Sequence, residues 1–376
     1  MPKKKLLIVG SFPFTRKDFK ENIFFGGILS SCKSIINSSA FKKYELILID
    51  STQISNPIPS FFHRLIKAIK RIFLLVYKLI SRRPDAALIF ASDGASALEK
   101  GLMIVLCRIF QTKAIIFPRA GKLIQQTDTN IIFRLIIKFM FKQASLFLCQ
   151  GPKWKDYALK NLQVEPSRVS IINNWTASES LLKIGSDRQF NITDSPRILF
   201  VGWLEDFKGV FELLSATQKI LDNKPNLIMT YVGDGSAMKK IKQTVDDNKL
   251  QDSIKCLGWK SGQELNDCYR DNNIFVLPSW SEGLPNAVIE AMSAGLTVIT
   301  TKVGTIPEVF THNENLILID PKSEEQIFNS IKNIIDDNNL RIRLAKNGHI
   351  FAKQHFSSEK VLSNLSQTIE EIITKK

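Results

Sequence analysis

The 376-residue chain contains no Asp-x-Asp pair, no Cys-x-x-Cys pair, no Gly-x-Ser-x-Gly and no Walker-type phosphate loop. The first absence removes the carboxylates that a metal-bridged diphosphate needs. The second leaves five scattered cysteines, Cys32, Cys107, Cys149, Cys256 and Cys268. An odd, unpaired set argues against a zinc site and for a reducing compartment. The last two exclude a serine-hydrolase elbow and a P-loop nucleotidase. Histidine is scarce, with only His63, His312, His349 and His355, and no His-Glu-x-x-His. No apolar run is long enough to span a membrane, since Arg134 and Lys138 break the best candidate, Ile131 to Phe141. The opening lysines followed by Leu6 to Gly10 have the outline of a signal peptide. No small-residue cleavage site follows, and Arg16, Lys17, Asp18 and Lys20 come soon after, so a first β-strand is expected there.

What is present is ordinary globular composition, 44% apolar and 23% charged, at a length comfortable for two cores. The charge is uneven. Residues 1–200 hold 31 Lys and Arg against 13 Asp and Glu, whereas residues 201–376 hold 20 against 23. The basicity therefore belongs to the first half. No nucleic-acid module accompanies it, so no nucleic-acid partner is expected. An anionic membrane surface and a phosphate-bearing acceptor both fit one-sided charge.

Strand-like apolar runs alternate with helical stretches throughout. In the first half they fall near 5–10, 45–50, 86–91, 113–117, 145–149 and 169–172; in the second near 197–201, 227–232, 253–257, 274–278, 296–301 and 316–319. This rhythm predicts two parallel sheets with helices on both faces. The polar stretch from Thr176 to Ser195, ending at Pro196, is the expected linker.

The most informative segment runs from Pro278 to Glu308. It reads as strand, loop, helix, turn, strand, with Pro285 at the first helical position and Gly295 stopping the helix after Ala294. Glu282 follows the carboxyl end of a strand, where open α/β sheets bind ligands. Glu290, eight residues on, leans back along the helix, so both carboxylates can line one crevice. The helix start favours an anion, and carboxylates beside a phosphate site suit sugar hydroxyls.

This segment resembles the retaining glycosyltransferases of family 4, of bacterial surface-polysaccharide type. The resemblance rests on Pro278, Ser279, Glu282, Gly283, Pro285, Glu290, Ala291, Met292 and Gly295. Thr297 departs from a usual Pro, and Thr305 from a usual Gly. The implied fold is GT-B α/β, with two Rossmann-like domains facing across a cleft. Residues 1–180 would bind acceptor, residues 190–357 would bind the nucleotide sugar, and a helix over 358–376 would cross back to the first domain.

Other segments are read beside that resemblance. In Arg197 to Gly209, a strand and turn lead to Lys208 at a helix start, well placed to meet a diphosphate. The family carries an Arg where Trp203 stands here, so Trp203 either packs against the donor or fills the core. Phe24-Phe-Gly-Gly27 is an ordinary turn or, as in the family, a backbone loop facing ligand. Tyr231 to Ser236 has part of a dinucleotide fingerprint and reads best as a structural turn. Cys256 to Lys260 corresponds to the family's base-holding loop. Arg119, in Phe117-Pro-Arg-Ala-Gly121, meets either an acceptor phosphate or a salt-bridge partner; the family histidine near this point is absent. Phe61 to Arg83 forms a basic amphipathic helix with a stripe of Phe61, Leu65, Ile69, Ile72, Val76 and Ile80. That stripe either covers the first sheet or lies on a membrane.

The resemblance implies a metal-independent hexosyltransferase with no cofactor beyond a nucleotide sugar, UDP-linked, as co-substrate. Lys208 and Glu282 would be catalytic. The donor would meet Gly26, Gly27, Gly202, Lys208, Glu282, Gly283, Leu284, Pro285, Asn286 and Glu290, with Glu290 on the ribose. Arg119 would meet the acceptor, a glycan or lipid-linked glycan. The expected location is cytoplasmic, at the inner face of the membrane, with peripheral contact through the first domain. A GT-B sugar-nucleotide epimerase and a non-catalytic partner subunit are the alternatives.

Overall fold

The computed structural model describes residues 3–13, 27–52, 60–189 and 196–375. The chain divides into two compact units, residues 1–175 with 359–376, and residues 176–358.

The first unit is a six-stranded parallel sheet ordered β2-β1-β3-β4-β5-β6. Its strands are β1 (Lys4–Gly10), β2 (Tyr44–Asp50), β3 (Ala86–Ala91), β4 (Lys113–Pro118), β5 (Leu146–Cys149) and β6 (Val169–Ile171). Its helices are α1 (Gly27–Asn37), α2 (Phe61–Arg82), α3 (Gly94–Ile109), α4 (Lys122–Thr129), α5 (Ile131–Phe141) and α6 (Pro152–Asp156). Strand side chains alternate between two cores, as a pleated strand buried on both faces must. Leu7, Val9, Ile89 and Ile116 point to the side packed by Leu75 and Leu79 of α2, Met103 of α3 and Ile137 of α5. Leu6, Ile8, Phe90 and Phe117 point to the other side, with Cys32 and Ile35 of α1.

The second unit has strand order β12-β11-β10-β7-β8-β9. The strands are β7 (Arg197–Val201), β8 (Ile228–Val232), β9 (Ile254–Cys256), β10 (Ile274–Leu277), β11 (Thr297–Thr301) and β12 (Ile317–Ile319). Between them run α7 (Glu179–Asp187), α8 (Val210–Leu221), α9 (Met238–Asp247), α10 (Gly262–Arg270), α11 (Asn286–Ser293), α12 (Ile306–Val309), α13 (Glu324–Asp336) and α14 (Asn338–His355). Strand order reverses between β7 and β10, the topological switch point at which doubly wound sheets leave an open crevice.

The final helix, α15 (Ser358–Thr374), packs Leu362, Leu365 and Ile369 into the α1 side of the first unit. The Tyr44 hydroxyl reaches the Ser366 carbonyl at 3.0 Å and Glu370 at 2.9 Å, and Lys4 pairs with Glu370.

Two expectations are corrected. The stretch from Thr176 to Ser195 contains α7, capped by the Ser178 side chain on the Leu181 amide, with Leu181 buried in the second core. Its hydrophilic residues are the outer face of an amphipathic helix. On α2, the buried side chains are Leu75 and Leu79, while Phe61, Leu65, Ile69 and Ile80 of the expected stripe are exposed. Of that stripe Ile72 packs against the core, so covering the first sheet falls mainly to Leu75 and Leu79 and not to the stripe as a whole.

Candidate active site

Two loops at the β7–β10 switch point are tied together, and their tie sets the site. Lys208 ends a single 3-10 turn, Asp206–Lys208, and Gly209 follows with φ of 71°. A Cβ on Gly209 would lie 2.2 Å from the Pro278 carbonyl oxygen, so glycine is required on both conformational and steric grounds. The Trp280 amide donates to the Phe207 carbonyl at 2.8 Å, fastening the loop after β10 to the loop after β7. The Lys208 ammonium then donates to Glu282 Oε1 at 2.5 Å, with both side chains mostly buried. Residues 74 positions apart in sequence thus form one charge-neutral pair at the carboxyl edge of the sheet.

The Gly283 carbonyl accepts from both the amide and the hydroxyl of Thr305, each at 3.1 Å. Gly304, with φ of 61°, lets that turn approach the Glu282 carbonyl, where a Cβ would be 2.1 Å away. Thr305 therefore anchors the acidic loop with a hydroxyl that a glycine lacks. Thr297 donates its amide to the Asn273 carbonyl at 3.0 Å and its hydroxyl to the Arg341 carbonyl at 2.9 Å. A proline there could make neither bond.

Leu284 is buried, and Pro285 sits at the N-cap of α11, one residue before its expected place. As the N-cap residue it offers no side-chain acceptor of its own to the start of α11. Glu290 is half-buried in the second turn and accepts from the Tyr269 hydroxyl at 2.9 Å. Burial raises its pKa above the ordinary glutamate range, with the Tyr269 bond partly opposing. The two glutamates thus have different partners, Lys208 for Glu282 and Tyr269 for Glu290.

Around them, Gly202 follows β7, and its amide donates to the Val232 carbonyl at 3.0 Å. Leu204 bonds Asp234, and Gly233 bonds Gly258, so the turn after β8 joins the loops after β7 and β9. Trp203 lies against Trp259 with ring centroids 5.9 Å apart, an aromatic pair at the same edge. Sequence reasoning missed Tyr269 and gave Thr305 and Trp259 no contact of their own. A tyrosine on one helix facing a glutamate on another leaves no local spacing signal.

In the first unit, Gly27 is the first residue of α1, and Gly26 lies outside the described residues. Arg119 follows β4. Its guanidinium stacks at 4.9 Å on Phe117 and 5.3 Å on Trp175, and its Nη2 donates weakly to Ser31 at 3.3 Å. Its buried Nη1 has no hydrogen-bond partner. Burial lowers its pKa to about 10. Arg119 forms no carboxylate ion pair among the described residues.

The fold, two doubly wound parallel α/β units, is the GT-B architecture. Residues 185–350 match the family model for glycosyl transferases group 1. The chain is 30% identical over 239 residues to the uncharacterized glycosyltransferase MJ1178 of Methanocaldococcus jannaschii, covering 64% of this chain and 63% of that one. It is 25% identical over 232 residues to the UDP-Gal:alpha-D-GlcNAc-diphosphoundecaprenol alpha-1,3-galactosyltransferase of Escherichia coli, covering 59% of each. These matches span less than two thirds of the relatives' own length. HepE from Anabaena, solved in complex with UDP, shares the fold over 98% of this chain and 100% of its own, with a TM-score of 0.70 and 16% identity.

Proposed function

We propose that the protein is a retaining glycosyltransferase of family 4 that moves a sugar from a UDP-linked donor to a lipid-linked or surface-glycan acceptor. The observation that carries the reading is the Lys208–Glu282 pair at the switch point of the second sheet. Breaking a sugar–diphosphate bond develops negative charge on the leaving phosphate, and catalysis consists mainly in meeting that charge. Lys208 and the amino end of α11 supply positive potential there. Donor binding would exchange the Lys208–Glu282 bond for two new ones, ammonium to phosphate and carboxylate to sugar hydroxyls. Glu290 would turn from Tyr269 to the ribose, while Gly202, Gly283, Leu284 and Pro285 shape the backbone around the diphosphate.

The charge needed at the leaving group is met by a lysine and a helix start, so the proposed reaction is metal-independent. Its acceptor proton passes to the departing phosphate on the same face, which retains anomeric configuration and needs no protein base. In the first unit, Arg119 has an unpartnered Nη1 and no carboxylate ion pair, which suits an anionic group on the acceptor. The E. coli relative's name specifies a diphosphoundecaprenol acceptor, which supports a lipid-linked substrate here. The proposed location is cytoplasmic.

The test is UDP release from a panel of UDP-sugars, with and without membrane extract, by wild type and Lys208→Ala. Acceptor-dependent release that falls at least about 100-fold in the variant supports the reading. Full activity in Lys208→Ala refutes the phosphate role. Epimerised nucleotide sugar without acceptor would identify the epimerase alternative, and binding without turnover the partner-subunit one.

A further inference from the structure

The largest unexplained feature is an apolar surface on the first unit. Helices α2, α3 and α5 lie side by side on one face of the sheet, α3 packing against both neighbours. Their outer sides leave large hydrophobic residues in solvent: Phe62, Phe73 and Tyr77 on α2, Ile132, Leu135 and Phe139 on α5, of which Phe62 is 74% and Phe73 71% exposed. On α3, Leu102 and Ile109 continue the surface between them. Isolated exposed apolar residues are normal in soluble proteins, but a three-helix field of them marks an interaction site.

Charge selects the occupant. The three helices carry ten Lys and Arg and a single acidic residue, Glu99. Glu99 is buried and already held by Arg71 and Lys100. Arg64, Lys67, Lys70, Lys78, Arg134 and Lys138 form no ion pair among the described residues. A second copy docking by this same face would set cations against cations, since a two-fold interface is self-complementary. A lipid surface bearing negative headgroups meets both requirements, with apolar side chains in the acyl boundary and Lys and Arg stems reaching the phosphates.

Topology gives the surface an orientation. All strands are parallel, and α2, α3 and α5 end only a few residues before β3, β4 and β5 begin. Their amino ends, with Phe61, Phe62, Ile131 and Ile132, therefore stand beside the carboxyl edge of the sheet, the edge at which Arg119 emerges from β4. We infer that this three-helix face docks the first unit on an anionic bilayer, so that the carboxyl edge of its sheet reaches the headgroups of membrane-embedded molecules. The inference stands on the first unit alone, so it can fail while the donor reading survives, and the reverse.

The experiment is flotation of the full chain with phosphatidylcholine vesicles, with and without phosphatidylglycerol. Co-flotation only with phosphatidylglycerol, weakened by salt, is expected. Replacing Lys67, Lys70 and Lys78 by Gln should lower partitioning about 100-fold. Phe73→Ser and Phe139→Ser should each lower it about tenfold, with unchanged melting temperatures, because these side chains are exposed. Equal partitioning onto neutral vesicles, no partitioning at all, or a concentration-dependent dimer abolished by Phe73→Ser would each overturn the proposal.

Discussion

The two units share a parallel α/β plan yet handle charge in opposite ways. In the second, the polar groups at the switch point are matched: Lys208 pairs with Glu282, and half-buried Glu290 is held by Tyr269. In the first, Arg71 and Arg82 of α2 pair with Glu99 and Glu45, but Arg64, Lys67, Lys70, Lys78, Arg134, Lys138 and Arg119 form no ion pair among the described residues. A matched pair is a site closed on itself until a ligand exchanges partners with it. Unmatched cations are incomplete without an anion from elsewhere. On the proposed reading, the difference separates a unit that handles the donor from a unit that meets anionic partners.

The comparison breaks most clearly at Lys208. Lys208→Ala should reduce kcat/KM at least about 100-fold in a UDP-release assay, because one lysine meets the leaving charge where Trp203 cannot. Melting curves check the fold, since Glu282 is left buried without its partner. Restoring charge with Trp203→Arg should leave activity measurable, and a gain would show that Trp203 is a loss the site tolerates.

Arg119→Met should give a smaller effect of a different kind. Removing a buried, half-satisfied cation should leave the melting temperature unchanged or higher, while the acceptor KM rises about tenfold and UDP affinity holds. A drop in UDP affinity would move Arg119 to the donor.

Glu290→Gln sharpens the comparison through pH. Burial raises the folded pKa of Glu290, so the fold favours its protonated form. Its stabilising contribution is present at low pH and is lost as pH rises from the ordinary glutamate range through the raised value. Ligand-free wild type should therefore lose stability across that window relative to Glu290→Gln, as thermal melts at stepped pH would show. The same substitution should weaken UDP binding severalfold. A melting curve with identical pH dependence in both proteins would contradict the burial argument.

The smallest effect is expected at Thr305. Thr305→Gly, which removes the hydroxyl bond to the Gly283 carbonyl, should cost about 1 kcal/mol in chemical denaturation. A neutral result would mean that the amide bond alone holds the acidic loop.

How much of this was legible in sequence follows from where each signal lies. The central strands announced themselves, because strands buried on both faces are continuous apolar runs bounded by turn residues, as in Leu6 to Gly10 and Ile274 to Leu277. The Lys208–Glu282 pair was approachable because each residue sits in a local pattern, although their meeting depends on strand order. The Glu290–Tyr269 bond was invisible, since it joins two helices whose registers no short motif records. On α2, too many apolar residues hid which were buried, and the excess is itself the signal of a surface. Gly26 lies outside the described residues, so the glycine loop stays an expectation from sequence.

The most direct test of the central claim, that Lys208 of the second unit holds the donor diphosphate and Arg119 of the first does not, is UDP binding by calorimetry to wild type, Lys208→Ala and Arg119→Met. The account predicts that binding is lost in Lys208→Ala and kept in Arg119→Met. Full UDP affinity in Lys208→Ala, or its loss in Arg119→Met, would contradict it.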